Sequence, residues 1–163
     1  MSHKITVERN TLRFAAAHMA TFGDTCEPLH GHNYELIVEV EGALTDDSWV
    51  IDFGVLKEIA RSICKELDHK FLLQRDSKVL DIEERPTNWK LRIVGDRGWV
   101  FPKADVLVLP IDNTTAERLA EYISGRLVAV LRDRGATNLA SITVGVEEAP
   151  GQTGWFSVRL TDK

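Results

Sequence analysis

The chain has 163 residues, 44% hydrophobic and 28% charged, which suits one soluble domain spanning 1–163 with a full core. A net charge of −5 with no basic run argues against a nucleic-acid partner. No apolar run reaches membrane-spanning length and the start "MSHKITVERN" has no signal-like apolar stretch, so the expected compartment is the cytoplasm, where Cys26 and Cys64 are not a disulfide framework.

The first predicted element is a strand over 5–18, broken near Asn10. The second, "NYELIVEVEG" over 33–42, alternates strictly. Tyr34, Leu36, Val38 and Val40 share one face, and Glu35, Ile37, Glu39 and Glu41 share the other, the pattern of a half-buried strand. A helix follows over 52–69, with Asp52 as its N-cap and Val55, Leu56, Ile59, Ile63 and Leu67 as its apolar stripe. Cys64 lies on the edge of that stripe. A second helix is predicted over 113–135, capped by Thr114 or Thr115 and ended by Gly135. Two closing strands, "LASITVGVEE" and "WFSVRL", flank the turn-rich "APGQTG" and form a hairpin.

Between the helices lies 74–112, too short for a core of its own and therefore an inserted excursion. Within it, 89–102 reads as a hairpin with "GDRG" at the tip. The order β-β-α-α-β-β predicts an α+β fold: a four-stranded antiparallel sheet with both helices on one face. The other face keeps apolar positions such as Ile37 and Val158, and the sheet edges stay open; oligomerisation through those edges would cover both.

The chemistry concentrates in "TCEPLHGHNYELIVEVEG", 25–42. Side chains two apart on a strand point the same way, so His30 and His32 can converge on one ion if the strand begins by His30, and Gly31 leaves room between them. His18, ending the first strand, is the candidate third ligand. Three imidazoles make a tetrahedral site with one open position, as catalytic zinc uses, although iron, nickel or cobalt bind the same donors. By itself an HxH pair reads more readily as a turn feature. Cys26 sits in a polar loop and is either a reactive thiolate or a fourth, site-closing ligand. Asp68 and His69 end the first helix; an Asp can orient a neighbouring His for proton transfer, but only where the helix end is irregular. The alternative is a His interacting with the helix dipole. Glu148 follows Val144 and Val146 by parity and, if buried, needs a donor such as two adjacent N–H groups on a cyclic guanidine-like edge; otherwise it is a solvated strand end.

In order along the chain, "FAAAH", "C…LHGHNY", "VIDFGVLK", "LDHKFL", "NTTAERLAEYI" and "VEEA" resemble the 6-pyruvoyl-tetrahydropterin synthase and 6-carboxytetrahydropterin synthase family. The resemblance implies a tunnelling (T-fold) architecture, a homohexamer with sites at subunit interfaces, and a small-molecule pterin as partner. It implies Zn2+ on His18, His30 and His32, a catalytic Cys26, a proton-transferring Asp68–His69 pair, and Glu148 and Thr115 at the pterin. The three residues between Cys26 and His30 are similar to the 6-carboxytetrahydropterin synthase branch. The implied activity is a zinc-dependent lyase acting on 7,8-dihydroneopterin triphosphate, its product feeding queuosine synthesis.

Alternatives within the family are a pyruvoyl product or a 6-hydroxymethyl-dihydropterin; relatives making the latter use a glutamate in this loop in place of the cysteine, whereas here Cys26 is kept and Glu27 follows it, which weighs against that product. Outside it stands a pterin- or purine-binding oligomer with a structural metal. The 74–112 segment is longer than compact members carry, and Arg13, Lys70 and Arg75 are the candidates for holding a triphosphate.

Overall fold

A computed structural model describes residues 2–93, 95 and 97–160, with Arg9 described by its backbone alone. In chain order it contains β1 (His3–His18), β2 (Thr21–Phe22), β3 (Thr25–Cys26), β4 (His30–Gly42), α1 (Phe53–Leu67), β5 (Lys70–Gln74), β6 (Leu80–Glu84), β7 (Asn88–Ile93), β8 (Gly98–Pro102), β9 (Val106–Leu109), α2 (Ala116–Asp133), β10 (Leu139–Ala149) and β11 (Gln152–Arg159).

The alternation in β4 does what its period demands. Tyr34, Leu36, Val38 and Val40 are fully buried, facing the helices. Burying each such Leu or Val contributes roughly 1.5–3 kcal/mol, so a one-residue slip of this strand would be prohibitive. β1 pairs antiparallel with β4 from His3↔Gly42 to His18↔His30, with a register shift between Glu8 and Arg13. Asn10, at φ 57°, sits in that shift. The predicted break is thus a bulge: the strand bends, and pairing resumes beyond it.

Asp52 caps α1 by accepting the Val55 N–H at 2.9 Å, and Leu56, Ile59, Ile63 and Leu67 carry its buried stripe. α2 starts at the Thr115 cap, and Gly135, at φ 76°, follows its end. α1 packs on β1, and α2 packs on β10 and β11, so both helices cover one face of the sheet.

The sheet is wider than the four expected strands. Its order is β11-β10-β4-β1-β5-β9, and β5 and β9 join in parallel. The first helix therefore ends two residues short of the expected 69, and "KFLLQ" becomes a strand buried at Phe71, Leu72, Leu73 and Gln74. A short apolar run without alternation carries no period to read.

The 74–112 excursion is built into the body. The predicted hairpin is β7–β8, and β6 extends it to a three-stranded meander. Phe101 stacks on Phe71 at 4.2 Å between ring centres, and Leu91 is buried with Met19, Phe71 and Leu73. Within the expected "GDRG" tip, Asp96 lies outside the described residues, as does the preceding Val94. On the sheet, Val158 packs toward the helix-side core, so it leaves no apolar surface on the opposite face; Trp155, on the same strand, is exposed instead.

Candidate functional site

The end of β1 and the start of β4 face each other, with His18 opposite His30. β4 begins at His30, so His30 and His32 share a direction. One nitrogen from each of His18, His30 and His32 lies within 4.8 Å of the others, and no other such group occurs among the described residues. Gly31 is required between them. A Cβ there would stand 2.8 Å from the Ala16 carbonyl oxygen, preventing the two strands from closing.

The hydrogen bonds around the triad decide its chemistry. His18 Nδ1 lies 3.0 Å from the Thr114 carbonyl, and His30 Nδ1 lies 2.8 Å from the Pro28 carbonyl. A carbonyl only accepts, so both Nδ1 atoms donate, and in the neutral rings both Nε2 atoms keep a lone pair. Those Nε2 atoms are 3.2 Å apart. Two facing lone pairs repel unless a cation sits between them. Burial, with the neighbouring His30 and His32 adding to it and the Thr114 bond opposing it, takes the pKa of His18 down to about 4. His18 is thus neutral at neutral pH, the form that ligates a metal. The residues fit a metal ion of the zinc type.

The triad opens into a cleft of about 500 Å3, also lined by Glu27, Thr115 and Glu148. Glu148 Oε1 lies 3.9 Å from His18 Nε2, and burial raises the pKa of the carboxyl. A carboxylate so placed needs donors. Thr115 reaches the cleft from the α2 cap. Gly154 lets β11 lie against this cap, because a Cβ there would meet the Glu117 nitrogen at 2.5 Å.

The pair Cys26–Glu27 divides. Glu27 lines the cleft, with Oε2 3.7 Å from His30 Nε2. Cys26, only 3% exposed, is buried with Leu80 and Ile93 and does not line it. Nor does its sulfur belong to the ligand group.

Asp68 and His69 do meet each other. His69, at φ 56°, breaks the helix end, so its Nδ1 reaches Asp68 Oδ2 at 2.8 Å. Asp68 also accepts the Ala15 N–H at 2.8 Å, and this bond, ahead of the one to His69, holds its carboxyl below the usual range. The pair lines a different cleft of about 550 Å3, with Arg13, Asn33 and Glu35. Asn33 and Glu35 alternate with His32 and Tyr34, so that cleft lies on the opposite face of the β1–β4 ladder. Within one chain the cleft of the triad contains neither Asp68 nor His69. The three triphosphate candidates are scattered: Arg13 lines the second cleft, Lys70 bonds to the Ala104 carbonyl and Arg75 pairs with Asp76.

Four further residues shape the site. Asn113 bonds to both the N–H and the carbonyl of Thr21, and Gln74 donates to the Met19 carbonyl at 2.7 Å. Together they pin the loop after β1. Thr114 orients His18. Tyr34 is fully buried, its hydroxyl without a partner at hydrogen-bond distance among the described residues, and burial, reinforced by the nearby Glu148 carboxylate, keeps the phenol protonated. The "HGHNY" alternation places Tyr34 on the histidine face; the other three act across 55 to 96 residues of chain, where no local pattern signals them.

The family model of 6-pyruvoyl tetrahydropterin synthase matches residues 5–159. The chain belongs to this family. A putative 6-carboxy-5,6,7,8-tetrahydropterin synthase of Methanocaldococcus jannaschii is 35% identical over 93% of each chain. A second so named, of Pyrococcus horikoshii, is 30% identical over 86% of this chain and 82% of its own. Among solved structures, a Plasmodium vivax 6-pyruvoyltetrahydropterin synthase superposes with a TM-score of 0.92 at 33% identity, covering 98% of this chain and 99% of that one. A variant of it with a catalytic glutamate replaced by alanine superposes equally well, at 32% identity. The T-fold expectation holds, and in this synthase fold the three histidines are a possible metal site.

Proposed function

We propose that the chain is a zinc-dependent lyase converting 7,8-dihydroneopterin triphosphate to 6-carboxy-5,6,7,8-tetrahydropterin, a precursor of queuosine, in the cytoplasm. The observation that carries this reading is the convergence of the triad nitrogens beside the half-buried Glu148. Relatives named for the carboxy product support the choice of branch. His18, His30 and His32 would hold the ion, which when bound supplies Lewis-acid polarisation of the substrate side-chain oxygens. Glu148 accepts the paired N–H groups of the pterin edge, and Thr115 lies beside it. The Cys26 thiolate and His69 move protons at the side-chain carbons, and Asp68 orients His69. In this reading a neighbouring subunit of a homohexamer supplies the pair and the sites lie at subunit interfaces, which is supported by Asp68–His69 lining a cleft other than that of Glu148 within one chain.

One observation favours a second reading. Glu27, not Cys26, faces the triad, and a glutamate is the catalytic residue replaced in the Plasmodium vivax variant. On that reading Glu27 is the base and the product is 6-hydroxymethyl-dihydropterin. Incubating the zinc-replete protein with dihydroneopterin triphosphate and weighing the products by mass spectrometry separates carboxy, pyruvoyl and hydroxymethyl pterins. No consumption of substrate would overturn both readings in favour of a pterin-binding oligomer with a structural metal.

A further inference from the structure

The hairpin of the inserted meander reaches the loop that carries Cys26 and Glu27. Arg97 Nη2 donates to the Cys26 carbonyl at 2.9 Å and lies 3.6 Å from its sulfur. The guanidinium is itself steadied over the Trp99 ring, 5.7 Å from its centre. Cys26 pairs with Thr21 in the β2–β3 ladder, and the Glu27 N–H donates to the Ala20 carbonyl at 2.9 Å. In this extended backbone consecutive side chains point to opposite sides. Only one member of the Cys26–Glu27 pair can then face the metal cleft, and a turn of the backbone would exchange them.

The near strand of this small ladder is pinned at Met19 and Thr21 by Gln74 and Asn113. On the far strand, among the described residues, Arg97 is the side chain that bonds to the 25–27 backbone. We propose that Arg97 is a positioning residue that selects the pair's orientation, keeping the Glu27 carboxylate in the cleft and the Cys26 thiol out of it. Resting on the second reading above, in which Glu27 is the base, this makes the inserted segment a determinant of which group, carboxylate or thiol, acts on the pterin. The charge-assisted bond to the carbonyl supplies the hold, and burial of the sulfur beside Leu80 and Ile93 adds to it.

The test uses zinc-replete Arg97→Ala and Arg97→Lys proteins. The rate of iodoacetamide alkylation is read by peptide mass at Cys26, with the buried Cys64 as internal control. Losing a charge-assisted bond should raise Cys26 alkylation about tenfold or more in Arg97→Ala while Cys64 stays at the wild-type rate. Arg97→Lys should stay near wild type, because lysine also donates to the carbonyl. The ratio of carboxy to hydroxymethyl product should rise in Arg97→Ala alone. An unchanged Cys26 rate, or Cys26 and Cys64 rising together, would overturn the proposal. If the wild type makes neither product, the proposed function fails while the alkylation rates still decide what Arg97 does.

Discussion

The two groups of chemistry-bearing residues that flank β1 are built differently. His18 is 1% exposed, its ring oriented by Thr114 and its neighbours brought up by the β1–β4 pairing that runs without a shift from Arg13 to His18. The side chain of His69 is 83% exposed and is held by Asp68. The buried His18 and the fixed tautomers of His18 and His30 bring the three nitrogens of a possible metal site together within one chain. Asp68–His69 is an oriented pair facing an open cleft. Preorganisation for a metal demands burial; a proton carrier needs access to what it serves.

Removing a ligand tests the buried half most severely. His32→Ala should lower the metal content from about one per chain to near zero and abolish turnover. Full zinc occupancy in that variant, measured by atomic absorption, would reduce the triad to a coincidence of packing. Glu148→Gln should act on the same cleft less drastically. Metal content should hold, and the apparent pterin affinity should fall roughly ten- to hundredfold, as for a lost charged hydrogen bond. An unaltered affinity by titration calorimetry would remove Glu148 from the binding surface.

The smallest effect belongs to the exposed half. The bond from the Ala15 N–H, and then His69, depresses the pKa of Asp68. The native carboxyl therefore releases its proton more readily than the unfolded one. Its stabilisation is complete above the ordinary aspartate value and disappears as pH falls through the depressed one. Asp68→Asn should flatten that acid limb of the Tm-versus-pH curve and leave neutral-pH metal binding alone. The effect is small because water screens the partly exposed pair. A variant curve parallel to wild type would show that the pair stores no such energy.

Much of the first half was readable before any coordinates. The period of two in 33–42 assigns a face to Tyr34, Leu36 and Val38 and, carried back to His30, a shared direction to the histidines. Asp52 and Thr115 announce their helices by cap chemistry, and Asn10 marks the bulge. β5 and β9 were not readable as strands, because buried parallel runs such as "KFLLQ" lack alternation. The positions of the proposed site residues were only partly readable. His18 joins His30 through strand register, and Asp68 meets His69 because of one left-handed residue. Cys26 gave no sign that it faces Leu80 and Ile93, and Arg97 reaches it across 71 residues of chain.

The sequence alone determined the alternating strand and the two capped helices, since each depends on neighbours within a turn or two of chain; the common heading of His30 and His32 needed the strand to begin at His30, as it does. The tertiary structure decided that Glu27 rather than Cys26 lines the cleft of the three histidines, that Asp68–His69 lines another, and that Arg97 of the inserted hairpin bonds to the Cys26 carbonyl. Those outcomes depend on which distant surfaces meet, and local periodicity is silent about contacts that only the packed sheet creates.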